Sequence, residues 1–178
     1  NLAGSATPGR ANSTLTPPTV AQAKCINALN KDFSKVAKTQ GKLDYGCAKN
    51  AAKGKLDGMT ADQCLTDDPR GKLASIQAKT SRDFTRSCSG QDRDGNSVYP
   101  LFGASDAATV NAAAISAPIA LMGDVFGDSL DGALVSADSE RDMSKCQLAV
   151  TKTIHKCLDT TLGIFNKCKK EGLKDGEM

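Results

Sequence analysis

Seven cysteines, at positions 25, 47, 64, 88, 146, 157 and 168 of 178, constrain this chain more than any other feature. None forms a Cys-x-x-Cys pair, and His155 is the single histidine. Tetrahedral zinc draws on close Cys or His pairs and haem attachment on Cys-x-x-Cys-His, so neither pattern is present. Regularly spaced cysteines without metal or redox spacing read as structural disulfides, made in an oxidising compartment. The sequence begins at Asn1 with no initiator Met and no basic-then-apolar leader. We therefore expect a secreted chain, extracellular or periplasmic, after signal-peptide removal.

Spacing predicts a pairing. Cys25 and Cys47 stand 22 residues apart, a separation that returns to nearly the same face of a helix. Cys64 and Cys88 stand 24 apart, beyond Cys47, with a turn signal at Asp67-Asp68-Pro69. If the segments run antiparallel, Cys47 meets Cys64 near the turn and Cys25 meets Cys88 at the open end. Cys146, Cys157 and Cys168 lie 11 apart on one helical pattern, about 16 Å between neighbours, and cannot bond one another within that helix. They are left for the rest of the bundle or for a second molecule.

The helical pattern is repeated. Cys25, Leu29, Phe33, Val36, Gln40, Leu43 and Cys47 step by 4, 4, 3, 4, 3 and 4, and Cys146, Val150, Ile154, Cys157, Thr161, Ile164 and Cys168 reproduce those offsets. Lys31, Lys35, Thr39 and Lys49 recur as Lys152, Lys156, Thr160 and Lys170. The underlying period of 11 suits a straight or gently right-handed seam. Segments 25–47 and 146–168 are thus expected in equivalent places of one bundle. Helices are predicted over Val20 to Ala52, ended by Gly54 and Gly58; from an Asp68 cap with Pro69 in the first turn to Cys88; from Ser105 or Asp106 through Val125, bent or split at Pro118; and from Glu140 to Glu171, stopped by Gly172. Between the last two, Gly127 to Ser139 has room for one short helical turn.

The expected fold is all-α: a disulfide-stapled bundle of about four helices over residues 20–178, preceded by an extended Ser/Thr/Pro-rich tail over 1–19. Aromatic residues are 4% with no Trp, so the core must be built from Ala, Leu, Ile, Val and Cys. The most apolar stretch, Ala112 to Met122, is interrupted by Ser116 and Pro118, and no membrane span is expected. The net charge of +3 is segregated: residues 1–88 hold 14 Lys/Arg against 7 Asp/Glu, and residues 89–145 hold 3 against 9.

The segments Cys25 to Leu56, with Cys-Ala-Lys-Asn-Ala-Ala-Lys-Gly-Lys-Leu at its end, and Phe165 to Lys170, Phe-Asn-Lys-Cys-Lys-Lys, resemble uncharacterised secreted bacterial proteins rich in Lys, Ala and Cys. The resemblance spans most of residues 25–175, implies secretion, and carries no known activity with it.

Candidate sites are few. Lys24, Lys31, Lys35, Lys38, Lys42 and Lys49 share one helix flank; without Arg or interleaved aromatics this reads as a solvated or acid-pairing face, and no nucleic-acid partner is expected. Asp92, Asp94 and Asn96 alternate as calcium ligands do, but Ser97 replaces the usual Gly and no Glu closes the loop, so a turn is preferred over a calcium site. Asn12-Ser13-Thr14 matches a glycosylation acceptor. No nucleophile, base and orienting group converge in sequence, and no Gly-x-Ser-x-Gly, phosphate-loop or dinucleotide motif is present, so no enzyme and no cofactor beyond that calcium loop are expected. The composite expectation is a secreted structural subunit that self-assembles as a homo-oligomer or homopolymer into a filament, sheath or surface layer. The alternative is a monomeric periplasmic or secreted module holding a soft metal ion or small ligand between its helices.

Overall fold

The computed structural model describes residues 17–100 and 105–175; most of the tail, Asn12 included, lies outside them. Six helices and no strand occur among the described residues: α1 (Val20–Ala52), α2 (Ala61–Thr66), α3 (Lys72–Cys88), α4 (Ala107–Phe126), α5 (Leu130–Ala133) and α6 (Arg141–Asp175). Four are long and two are single short turns, so the expectation of about four helices missed α2 and counted α5 only as a turn.

α1 is the axis of the fold. Thr19 starts it with a reciprocal cap, its hydroxyl accepting from Gln22 N at 3.2 Å while Gln22 Oε1 accepts from Thr19 N at 3.0 Å. Buried residues lie along its whole length, and α2, α3, α4 and α6 all pack on it. At one end Cys25, Leu29 and Cys88 form a cluster with Phe84 and Val110; at the other Cys47, Ala48, Cys64 and Leu65 pack with Met122 and Leu130. α3 and α6 therefore run antiparallel to α1, and α4 runs parallel to it.

Local chemistry explains the shifted boundaries. α3 begins at Lys72, later than expected, because Gly71 takes a left-handed conformation (φ 61°) and closes a turn after Pro69. Asp68 still caps the helix, accepting from Lys72 N and Ala74 N at 2.9 Å each. α2 and α5 cap each other: Asp62 accepts from Leu130 N at 3.1 Å, and Asp131 accepts from Ala61 N at 2.5 Å. α4 continues through Pro118, whose missing N–H leaves the Ala114 carbonyl without its usual donor. By length and composition α4 is apolar enough to cross a bilayer, yet its Ala114, Pro118 and Met122 face is spent on the bundle. Gly172 does not stop α6, which runs on to Asp175 with Leu173 buried.

Candidate functional site

Two disulfides staple α2 and α3 to α1. Cys25 is bonded to Cys88 and Cys47 to Cys64, with Cα–Cα distances of 4.8 and 5.7 Å. The α1 stripe containing both cysteines is inward: Cys25, Leu29, Val36, Gln40 and Cys47 are buried, and Phe33 and Leu43 are half-buried.

The matching stripe of α6 is outward. Cys146, Cys157 and Cys168 are unpaired and exposed, as are Thr161 and Ile164, while Val150 and Ile154 are half-buried. This overturns the expected equivalence of the two repeat segments. α6 turns a different stripe to α1, in which Ser144, Thr151, His155 and Leu173 are buried and Leu148, Leu158 and Leu162 half-buried. At ~100° per residue this second stripe lies on roughly the opposite side of the helix from Cys157. Docking is fixed by polar contacts: Asn166 Nδ2 donates to Asn30 O at 3.1 Å and to Ser34 Oγ at 2.6 Å, and Lys38 pairs with Asp159 at 3.3 Å. Ile164, Phe165 and Met143 are 61%, 55% and 52% exposed, three of the seven exposed large apolar side chains among the described residues, on the helix that also carries all the free thiols.

A second arrangement, invisible to motif searching, sits where α1 and α6 cross. Asp44 is fully buried; its Oδ1 accepts from Gln40 Nε2 at 2.7 Å, and the same amide donates to Leu65 O at 2.8 Å. Asp44 Oδ2 is 3.5 Å from His155 Nε2, too long for a firm hydrogen bond. Burial pushes the Asp44 carboxyl up to about 7, with the Gln40 hydrogen bond pulling the other way. Burial likewise pushes the His155 imidazole below its ordinary value, opposed by the Asp159 charge. The two helices approach closely because Gly41 stands under the imidazole; a methyl there would come within 2.9 Å of Nδ1. Over the pair opens a cleft of about 390 Å³ lined by Lys42, Tyr45, Lys152, His155, Lys156 and Asp159. The only sequence hints of this crossing were a glutamine on an otherwise apolar seam and a glycine inside a long helix.

The other expected sites are dispersed. Lys24, Lys31, Lys38, Lys42 and Lys49 are exposed along α1 and Lys35 is half-buried, but Lys35 pairs with Asp32 at 3.2 Å and Lys38 with Asp159. Asp92 Oδ1 accepts from Asp94 N at 3.0 Å and Asn96 N at 2.9 Å, so this carboxylate closes its own turn, which carries Gly95 at φ 81°. Among the described residues no three His, Cys, Asp or Glu side chains gather as a metal-binding group, and the three α6 thiols are too widely spaced for one chain to offer them to a single ion. Comparison with protein-family models, with curated proteins and with solved structures yields no match to this chain.

Proposed function

We propose that the protein is a secreted structural subunit that associates with copies of itself into an extracellular filament, sheath or layer. One observation carries the reading: α6 presents a cysteine-bearing seam to solvent, while the same pattern on α1 is buried and cross-linked. A helix face with the composition of a packing seam, on which Cys146, Cys157, Cys168 and Ile164 are left exposed among the described residues, calls for a partner outside it. Oxidising surroundings, in keeping with the two internal disulfides, suit cross-links between subunits. Segregated charge supplies a second, unlike contact, the basic flank of α1 against the acidic region 89–145, and a head-to-tail contact that does not close generates an open polymer.

Negative-stain electron microscopy of the native protein beside the variant Cys146→Ser/Cys157→Ser/Cys168→Ser tests this. The variant spares both internal disulfides, so its helical content should be unchanged. We expect ordered filaments or layers from the native protein and their loss in the variant. Compact single particles from the native protein at every concentration and salt level would overturn the reading.

A further inference from the structure

Resting on the assembly reading above, we propose that the outward face of α6 is a two-fold self-docking surface, on which two copies pair antiparallel with Cys157 against Cys157 and Cys146 against Cys168.

The face is built to be covered. At ~100° per residue, no charged side chain between Met143 and Cys168 falls within about 40° of the line through Cys157. Lys145, Lys152, Lys156 and Lys167 all lie on one flank, and the core-facing stripe lies behind. A solvated helix face ordinarily carries charge; this one carries Cys, Val, Thr and Ile.

The spacing identifies the occupant as a second copy. Cys146 and Cys168 each stand 11 residues from Cys157, Val150 and Ile164 each stand seven, and Thr153 and Thr161 each stand four. An antiparallel contact centred on Cys157 therefore sets thiol against thiol, Val150 against Ile164 and Thr153 against Thr161, as an isologous interface requires. An unlike partner imposes no such palindrome. The count agrees as well: three thiols on one face all find partners only if the middle one meets its own copy on the two-fold axis. α1, which docks on an unlike layer, has Val36 rather than Cys at the corresponding middle position.

The geometry has a precedent inside the molecule. Cys25 and Cys47, with the same 22-residue separation as Cys146 and Cys168, both reach disulfide partners from one face of a single helix, Cys88 at the end of antiparallel α3 and Cys64 in α2. Eleven residues overshoot three helical turns by only about 20°, so three thiols stay on one nearly straight seam. Each bond forms by exchange with a small-molecule or protein disulfide. A thiolate of one copy attacks the donor disulfide and expels one donor thiolate; the facing thiolate of the second copy attacks the mixed disulfide and expels the other. Two cysteine thiols lose two protons and two electrons, and the donor disulfide is reduced to two thiols. The closed two-fold contact gives a dimer; a polymer then needs the separate charged contact.

The test uses the full chain, equal parts unlabelled and ¹⁵N-labelled, oxidised in a mixture of oxidised and reduced glutathione and mapped by mass spectrometry after digestion without reductant. We expect a covalent dimer, loss of all three alkylatable thiols per chain, and cross-linked peptides joining Cys157 to Cys157 and Cys146 to Cys168 with mixed isotope labels. The variant Cys146→Ser/Cys168→Ser should still dimerise through Cys157 alone. A monomer with its thiols still alkylatable, persistent glutathione adducts without dimer, or Cys146–Cys146 and Cys168–Cys168 cross-links from a parallel contact would each overturn the proposal. Filaments that form while the thiols stay alkylatable would overturn the two-fold contact and leave the assembly reading standing. The mapped dimer without filaments or layers would do the reverse.

Discussion

Asp44 holds a carboxyl where water does not reach, with one oxygen on Gln40 and the other facing His155. Because burial raises its folded pKa to about 7 from an ordinary 3.8, the folded chain keeps a proton that the unfolded chain releases. The stability tied to this group is whole below about pH 4, falls as pH rises, and is lost above about 7. His155 runs the other way: its depressed pKa favours the folded state above the ordinary histidine range and loses that advantage as pH falls. Asp44→Asn keeps an acceptor for Gln40 and removes the charge. Relative to the parent, the variant should gain about 3 kcal/mol between pH 5 and pH 8.5, from roughly two pKa units at 1.36 kcal/mol each. Urea unfolding of both proteins at the two pH values measures it; a difference independent of pH would show that Asp44 ionises freely in the fold.

At the scale of elements, the pairing of α1 with α6 depends on close approach at Gly41. An alanine there would bring its methyl to 2.9 Å from His155 Nδ1 and 3.0 Å from Cγ, so imidazole or helix must shift. Overpacking of this kind costs about 1–3 kcal/mol, offset in part by about 1 kcal/mol of helix propensity. Gly41→Ala should therefore destabilise by up to about 2 kcal/mol, and the loss should shrink in a His155→Ala background. Gly46, in the same helix, has nothing within 4 Å of an added methyl, so Gly46→Ala should gain up to about 1 kcal/mol. Thermal or urea unfolding of the four variants of the Gly41–His155 cycle, with Gly46→Ala as control, separates steric contact from propensity. Equal effects at the two glycines would remove the close approach from the account of docking.

For the whole molecule, the two disulfides bind α3 and α2 to the central helix over loops of very different length. Cys25–Cys88 spans 63 residues and Cys47–Cys64 spans 17. By loop-closure entropy, replacing the first pair with alanine should cost about 4 kcal/mol and the second about 3 kcal/mol. Denaturant midpoints of the two double variants test the order; the reverse order would indicate residual structure in the unfolded chain around Cys25 and Cys88. Much of this architecture follows from patterns along the chain: the bounds of α1, the cap of α4 at Asp106, the short turn of α5 and the cysteine pairing all rest on periodicity, capping and spacing. Those are local quantities, set by which residues share a face and which interrupt a helix. Tertiary structure decided the rest. α6 carries two stripes at helical spacing, and periodicity cannot rank them; the choice fell to docking on α1, where Asn166 and Asp159 find partners and His155 packs over Gly41, while the three cysteines stay exposed. The Asp44–His155 crossing was hidden for the same reason, since its members are 111 positions apart and only the packing of two helices over a glycine brings them together.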